Sequence, residues 1–464
     1  MEPKTLYRRS DGGALNQPAF GEPLPAPARE EVLHYIVMLL QGRLVEIFDH
    51  IVEHYGITVC VDLPDYSILH LLAQQLTGLP LKPYVIVAGP QANQFVMSGD
   101  YHAVQRRPIE VRGFPLDEEG AVKDRCIVAL DGPMQKYYRR FLFEPFHHSC
   151  LAHYIPLIER CVSYRLQAWD GQINLFSQME RLAVEICAHT MLGIELEQGA
   201  LAEFSAAYWP ITLGSRKREG KRAKLRMREL LTRLIQQRTE RPGHDALSVL
   251  IQSMQARYPD ITQDDLIHYG FMLVEVGQSD MAIFLTYVVS ALALYPELSE
   301  RLLAELTVYS PESLLDVEKT LPLTTSVLRE VERLYPPVPY IFRYAAQDMR
   351  FGAYHIPADS WLISAVSTTH RLPGLFHDPT RFDPDRFLPP RNESTSRFAV
   401  MGFGAGAHGC IGMKFVRVMA CVVVYLLLQQ YRLRLTDTDE LPKIDYRGRC
   451  QKPGRKITLA VANR

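Results

Sequence analysis

Phe403-Gly-Ala-Gly-Ala-His-Gly-Cys-Ile-Gly412 decides how this chain is read. Four glycines surround a lone cysteine, and an aromatic residue opens the stretch. Glycine lets the backbone turn tightly and brings amide N–H groups close to sulfur, where they stabilise an anionic thiolate. Phe403 is placed to shield that sulfur from water. A thiolate held this way is a metal ligand. A Gly-rich loop around a buried structural cysteine is the competing reading of these ten residues taken alone.

The stretch resembles the haem-binding loop of the cytochrome P-450 superfamily, the haem-thiolate monooxygenases, whose pattern is Phe-x-x-Gly-x-(His/Arg)-x-Cys-x-Gly. Phe403, Gly406, His408, Cys410 and Gly412 meet every fixed position. The resemblance implies heme b (iron protoporphyrin IX) with Cys410 as the proximal iron ligand and Phe403, Gly404 and His408 around it. A thiolate axial ligand pushes electron density onto iron and favours O–O cleavage. The implied fold is mainly α with small β-sheets: a helical lobe and a smaller β-rich lobe with haem between them.

Bulk properties fit a globular protein. At 464 residues, with 47% hydrophobic and 22% charged, the chain can bury a sizeable core. A formal net charge of −1 gives no global signal for nucleic acid. Eight cysteines, at 60, 126, 150, 161, 187, 410, 421 and 450, show no close pairing and no CxxC spacing. They read as reduced thiols of a cytoplasmic protein. Residues 1–30 are rich in Pro and Gly and read as a flexible segment with no signal peptide. The apolar run Val418–Leu428 reaches about half a bilayer span and reads as a core helix. A single haem-binding domain over 31–464, with no transmembrane anchor, is expected.

Helical periodicity covers 150–170, 174–195, 221–239, 262–295, 297–308 and 322–335. Strands are expected at Pro83–Ala88 and Trp361–Val366, and a hairpin over Tyr340–Ile356 turning near Gly352. Residues 373–397, dense in Pro, Asp and Arg, read as an ordered meander. Thr262-x-x-Asp265 reads as a variant capping box opening a long helix.

Glu330-x-x-Arg333 places an acid and a base on one helix face, and Pro336-Pro337 stops that helix. A lone i,i+3 pair contributes under about 1 kcal/mol when solvated. The resemblance implies more: the pair is completed by Arg386 from Phe382-Asp-Pro-Asp-Arg-Phe387. The job of that network is structural, locking the meander under the haem loop. It also implies that Arg139, Arg343 and His408 meet the haem propionates. Gln135 stands where the family usually has His or Trp; Gln can still donate a hydrogen bond but brings no charge.

At the oxygen site the family pattern is (Ala/Gly)-Gly-x-(Asp/Glu)-Thr-(Thr/Ser), whose acid–alcohol pair delivers protons. This chain reads Val276-Gly277-Gln278-Ser279-Asp280-Met281, so Gly277 is kept while acid and alcohol have changed places. A one-position swap rotates a side chain by roughly 100° around a helix. Two arrangements follow. Either Asp280 faces the oxygen pocket as a proton donor, its pKa raised by burial, with Ser279 beside it. Or it turns away into a salt bridge, and chemistry without a proton relay becomes credible.

His370-Arg-Leu-Pro-Gly-Leu-Phe-His-Asp-Pro-Thr-Arg-Phe-Asp-Pro-Asp-Arg-Phe-Leu-Pro-Pro-Arg391 is similar to the corresponding stretch of sterol 14α-demethylases. Tyr101–Leu130 lacks that branch's pocket elements, so the scaffold resembles it while the pocket does not. Val276, Met281, Val338 and Phe342 fall where the family places pocket walls. The resemblance therefore implies O2-dependent monooxygenation of a lipophilic substrate: sterol, terpenoid or fatty-acid-like. The alternatives are a peroxide-using or rearranging haem-thiolate enzyme and a non-catalytic haem sensor. The basic stretch Arg216–Arg228 reads as a solvated helix face with a hinge at Gly220. Lys136, Arg140, Lys414 and Arg417 are placed to steer an external acidic electron donor of ferredoxin or flavodoxin type.

Overall fold

The computed structural model describes residues 24–28, 31–32, 34–35, 38, 41, 43–56, 58–61, 84–98, 102–105, 127, 130–195, 199–212, 217–258, 260–275, 278–394, 396–446 and 451–464. Most of the N-terminal segment 1–30 therefore lies outside the described residues. In chain order the main elements begin with α1 (Leu44–Tyr55), β1 (Thr58–Val61), β2 (Tyr84–Val87), α2 (Pro90–Ser98) and β3 (Val104–Gln105). Next come α3 (Gly132–Phe143), α4 (His148–Leu166), β4 (Gln172–Asn174), α5 (Leu175–Leu192), α6 (Gly199–Thr212), α7 (Lys217–Glu240) and α8 (Ala246–Arg257). Then follow α9 (Gln263–Glu275), α10 (Gln278–Leu294), α11 (Pro296–Glu305) and α12 (Pro322–Leu334). The chain continues through β5 (Ile341–Ala345), β6 (Met349–Phe351), β7 (Tyr354–Ile356) and β8 (Trp361–Ser364). It ends with α13 (Met413–Gln430), β9 (Tyr431–Leu435), β10 (Ile444–Asp445), β11 (Lys452–Pro453) and β12 (Thr458–Asn463).

These elements fall into two units. The strand-rich one comprises Met1–Val111, Cys126–Met134 and Arg329–Cys410. The helical one comprises Arg112–Arg125, Gln135–Leu328 and Ile411–Arg464.

In the strand-rich unit a five-stranded sheet runs β1-β2-β8-β5-β3. Strands β2 and β8 pair in parallel, Tyr84 opposite Trp361 through Val87 opposite Ser364. Both are buried along their whole length, which is why each reads as a continuous apolar run. Tyr84, Ile86 and Ile363 pack with Ile47, Phe48 and Ile51 of α1. Val85, Val87 and Leu362 pack instead with Ala92 and Val96 of α2. Alternation along the strands thus gives each helix its own sheet face.

The expected hairpin over Tyr340–Ile356 is corrected in part. Strands β6 and β7 do pair, turning at Gly352. Strand β5 instead joins the large sheet, antiparallel to β8. Periodicity marks a strand but not its partner.

In the helical unit, Asn174 caps α5 through Ser177 N–H, and Asp245 caps α8 through Ser248 N–H. The expected box at α9 forms reciprocally: Thr262 N–H donates to Asp265 Oδ2 (3.0 Å) and Asp265 N–H to Thr262 Oγ1 (3.1 Å). Gly220 sits inside the described helix α7 rather than at a break between two helices. The 262–295 segment is helical over α9 and α10, with 276–277 outside the described residues. Helix α13 is long and apolar enough to cross a membrane, yet Phe415, Val418, Val422 and Leu427 are buried.

Candidate active site

The cysteine loop is a chain of tight turns. Met401 C=O accepts Gly404 N–H (2.8 Å), Phe403 C=O accepts Cys410 N–H (2.8 Å), and Gly406 C=O accepts Gly409 N–H (3.2 Å). Gly404 and Gly406 take φ of +68° and +65°, the left-handed region that glycine enters at little cost. At Gly406 a Cβ would lie 2.3 Å from the Met97 carbonyl oxygen at the end of α2. No other residue fits there without moving backbone.

The loop leaves Cys410 exposed. Cys161, Cys187 and Cys421 are buried and Cys150 half-buried. Burial pushes the Cys161 and Cys421 thiols up to about 12 and raises those of Cys150 and Cys187. Of these five, Cys410 alone is exposed.

The other loop residues are placed as follows. Phe403 is half-buried, and the His408 Nε2 lies 2.9 Å from Asp131 Oδ1. Arg343, on β5, is buried; it donates to its neighbour's carbonyl at Phe342 (2.7 Å), and its Nη2 lies 3.6 Å from Met97 Sδ. Arg139 is half-buried on α3, in the helical unit. A thiolate-bound haem fits this donor set. One exposed sulfur follows a glycine pressed against backbone, and Arg343 and His408, two nitrogen donors, lie in the same unit.

Glu330, Arg333 and Arg386 form the expected network, each with 0% exposure. Arg333 Nε and Nη2 donate to Glu330 Oε2 and Oε1, both at 2.8 Å. Oε1 also accepts Arg386 Nε (3.0 Å) and Asp383 N–H (2.8 Å). The remaining guanidinium protons go to the meander. Arg333 donates to the carbonyls of His370, Pro379 and Arg381, and Arg386 to those of His377, Asp378 and Arg381 and to Glu393. Breaking one member of such a buried set leaves the others unpaired, which costs about 3–5 kcal/mol. Helix α12 carries two of the three members and touches the loop's approach: a Cβ on Gly402 would lie 2.5 Å from Glu332 Cγ.

His370 is a residue that sequence reasoning passed over as mere texture. Its ring is fully buried, between the Arg333 carbonyl (2.9 Å) and the Met401 N–H (2.8 Å). The Asn93 side chain is another: it donates to the Phe398 carbonyl (2.9 Å) and accepts from Ser364 Oγ (2.6 Å). Both act through partners far away in the chain, so no local pattern announces them.

In the helical unit, Ser279 and Asp280 occupy the first turn of α10 and are half-buried. Burial pushes the Asp280 carboxyl up to about 6. Among the described residues no ion pair holds Asp280, so the salt-bridged arrangement has no partner there. Gln278, buried beside it, donates through Nε2 back to the Val274 carbonyl (2.6 Å), tying α9 to α10. Met281 is buried on the same turn. In the strand-rich unit Val338 is 39% exposed and Phe342 half-buried, edge-on to Tyr340 and Trp361. Val276, Gly277 and most of Tyr101–Leu130 lie outside the described residues.

Comparison with known proteins now identifies the chain. Residues 78–459 match the cytochrome P450 family model. "Putative cytochrome P450 136" of Mycobacterium tuberculosis is 28% identical over 385 residues, 78% of this chain and 77% of that protein. "Cyclooctat-9-en-7-ol 5-monooxygenase" of Streptomyces melanosporofaciens is 24% identical over 350 residues, 70% of this chain and 76% of that one. A solved cyanobacterial CYP120A1 with retinoic acid bound superposes with a TM-score of 0.76 at 21% identity, covering 96% of this chain and all of that one. This chain belongs to the cytochrome P450 family. It has that fold, uses haem, and is a P450 monooxygenase. These relatives are not named as sterol demethylases, so only the superfamily part of the resemblance stands.

Proposed function

We propose that this enzyme hydroxylates an isoprenoid-type lipophile, with Cys410 as the haem ligand and Asp280 as the proton-delivering group. Haem, when bound, supplies O2 activation and oxygen insertion. The chain's own residues do the rest. Cys410 donates its sulfur; Arg139, Arg343 and His408 hold the propionates; the Glu330–Arg333–Arg386 network keeps the loop in register. Residues 31–464 act as one haem-binding domain. One observation carries the reading: the exposed Cys410 closes a turn that only glycine at 406 permits.

Asp280 takes over the role that the acid–alcohol pair has in the family pattern. A carboxyl poised near 6, with no ion pair among the described residues, both holds and releases a proton near neutral pH. This favours O2-dependent turnover over peroxide-driven or rearrangement chemistry. Retinoic acid, bound in one relative, and cyclooctat-9-en-7-ol, named in another, are isoprenoid compounds with a polar end. Met281, Phe342 and Val338 suit the apolar body of such a substrate. The sterol-like texture of residues 370–391 belongs to the meander and speaks for scaffold rather than substrate.

Electrons come from an external ferredoxin or flavodoxin, steered by exposed Lys136 and Arg140 on α3 and by Lys414, in a cytoplasmic setting. A spin-state titration across retinoids, terpene alcohols, sterols and fatty acids, followed by product analysis, tests this. Oxygenated product from an isoprenoid with electron donor and O2, and little with peroxide alone, is the expected result. Turnover by peroxide alone, or spin shifts confined to fatty acids, contradicts it.

A further inference from the structure

We infer that His370 is a positioning residue for the cysteine loop, acting as a neutral two-ended bridge between helix α12 and Met401. The inference rests on the reading of Cys410 as the haem ligand and adds to it a residue that no motif contains.

The geometry assigns both ends. Met401 offers an amide N–H to Nε2 at 2.8 Å, so Nε2 must be an acceptor. Arg333 offers a carbonyl to Nδ1 at 2.9 Å, so Nδ1 must carry the proton. Only the neutral Nδ1–H tautomer satisfies both partners at once. The ring has no solvent exposure and burial holds its pKa far down, to about 3, so it stays neutral through the working pH range. Three cations face it, Arg333, Arg371 and Arg329, and each opposes a second proton.

The clasp is reciprocal. Arg333 Nη1 donates to the His370 backbone carbonyl (2.8 Å), while the His370 ring donates to the Arg333 backbone carbonyl. The buried triad thus fixes His370, and His370 passes that fixity to Met401. Met401 is itself buried, and its carbonyl accepts Gly404 N–H, the first turn of the loop that presents Cys410. Without the ring, the Met401 amide is a buried donor with no acceptor, and it recovers one only by moving. Moving it swings the start of the cysteine loop.

Two amides separate the ends of the bridge. In His370→Gln the side-chain oxygen reaches the Nε2 position and restores the acceptor for Met401. In His370→Asn the shorter amide reaches the Nδ1 position and restores only the donor to Arg333. The readout is the ferrous carbon monoxide spectrum, in which thiolate ligation absorbs at about 450 nm and its loss gives a band at about 420 nm. Relative to wild type, His370→Ala and His370→Asn are expected to raise the 420/450 ratio about tenfold, and His370→Gln far less, as loss of one buried acceptor implies. Equal ratios in Gln and Asn, or an unchanged ratio in Ala, overturn the proposal.

Should the variants fail to fold, residue-resolved hydrogen exchange on wild type decides. The Met401 amide must be among the slowest in 396–403, and exchange as fast as that of its exposed neighbours overturns the bridge. A wild-type protein with no band at about 450 nm refutes the Cys410 reading instead, so the two failures are distinguishable.

Discussion

The Glu330 carboxylate and the Arg333 guanidinium lie face to face with no solvent access, joined by two hydrogen bonds of 2.8 Å. Arg386 arrives from 56 residues away to share the same carboxylate. Charge-assisted, bidentate and dry, this arrangement differs from the solvated i,i+3 pair that the spacing alone suggests. The Arg333 guanidinium also stacks over Phe376 at 4.9 Å. Its role is to hold the meander, and it makes the first prediction sharp.

Glu330→Gln leaves the buried Arg333 guanidinium without its counter-charge and strips Arg386 of one of its two carboxylate partners, Glu393 being the other. A loss of about 3–5 kcal/mol in folding free energy is expected, read by denaturant titration of the holoprotein. Arg386→Lys keeps the charge but loses the fork to Glu330 and Glu393, and should cost less. Near-wild-type midpoints for both would show that the network is dispensable.

Gly406→Ala places a methyl group against the Met97 carbonyl and forces a left-handed backbone on alanine. Haem incorporation should fall at least about fivefold, or the 420 nm form should dominate, as a strain of about 1–3 kcal/mol implies. Full loading with an unaltered spectrum contradicts the close approach of α2 to the loop.

Asp280 gives a pH prediction. Its folded pKa is raised from the usual carboxylate value to about 6, so the fold binds that proton more tightly than the unfolded chain does. Stability contributed by this group is present at low pH and falls as pH rises from about 4 to about 6. Asp280→Asn lacks the effect. Its stability relative to wild type should therefore be near zero at about pH 4 and grow to roughly 1–3 kcal/mol at about pH 7. The same variant should lose about 100-fold in O2-dependent turnover, the usual size of a general-acid contribution. A pH-independent difference in stability, with full coupled turnover, removes Asp280 from the proton path.

Lys136 and Arg140 share the exposed side of α3 with Tyr137. Reversing both charges should slow association with an acidic donor by about tenfold at low salt and flatten its ionic-strength dependence. Turnover driven by a chemical reductant should be unchanged. Equal slowing in both assays would mean a folding defect rather than lost steering.

How much of this was legible beforehand follows from distance along the chain. The cysteine loop is contiguous, and the left-handed turns at Gly404 and Gly406 suit its glycines, so its pattern is visible in the letters, while its reading as a haem loop needed the family resemblance. Glu330 and Arg333 are three apart, and a helical period links them; Arg386 needed the family resemblance to join them. His370 has no such help. It reaches Arg333 across 37 residues and Met401 across 31, and a lone histidine carries no marker of burial or tautomer. Strand β5 went astray for a related reason: alternation reveals a strand, while the choice between β6 and β8 as partner is made by packing. Asp280 was readable as an anomaly, because one position of shift on a helix is visible in the letters. Its protonation needed the burial.

The most direct measurement of the central claim is the ferrous carbon monoxide spectrum of wild type beside Cys410→Ala. Wild type should absorb at about 450 nm, and the alanine variant should lose that band while the rest of the protein stays folded. A variant that binds haem equally well and keeps the band would contradict the account, because the iron would then take its axial ligand from elsewhere.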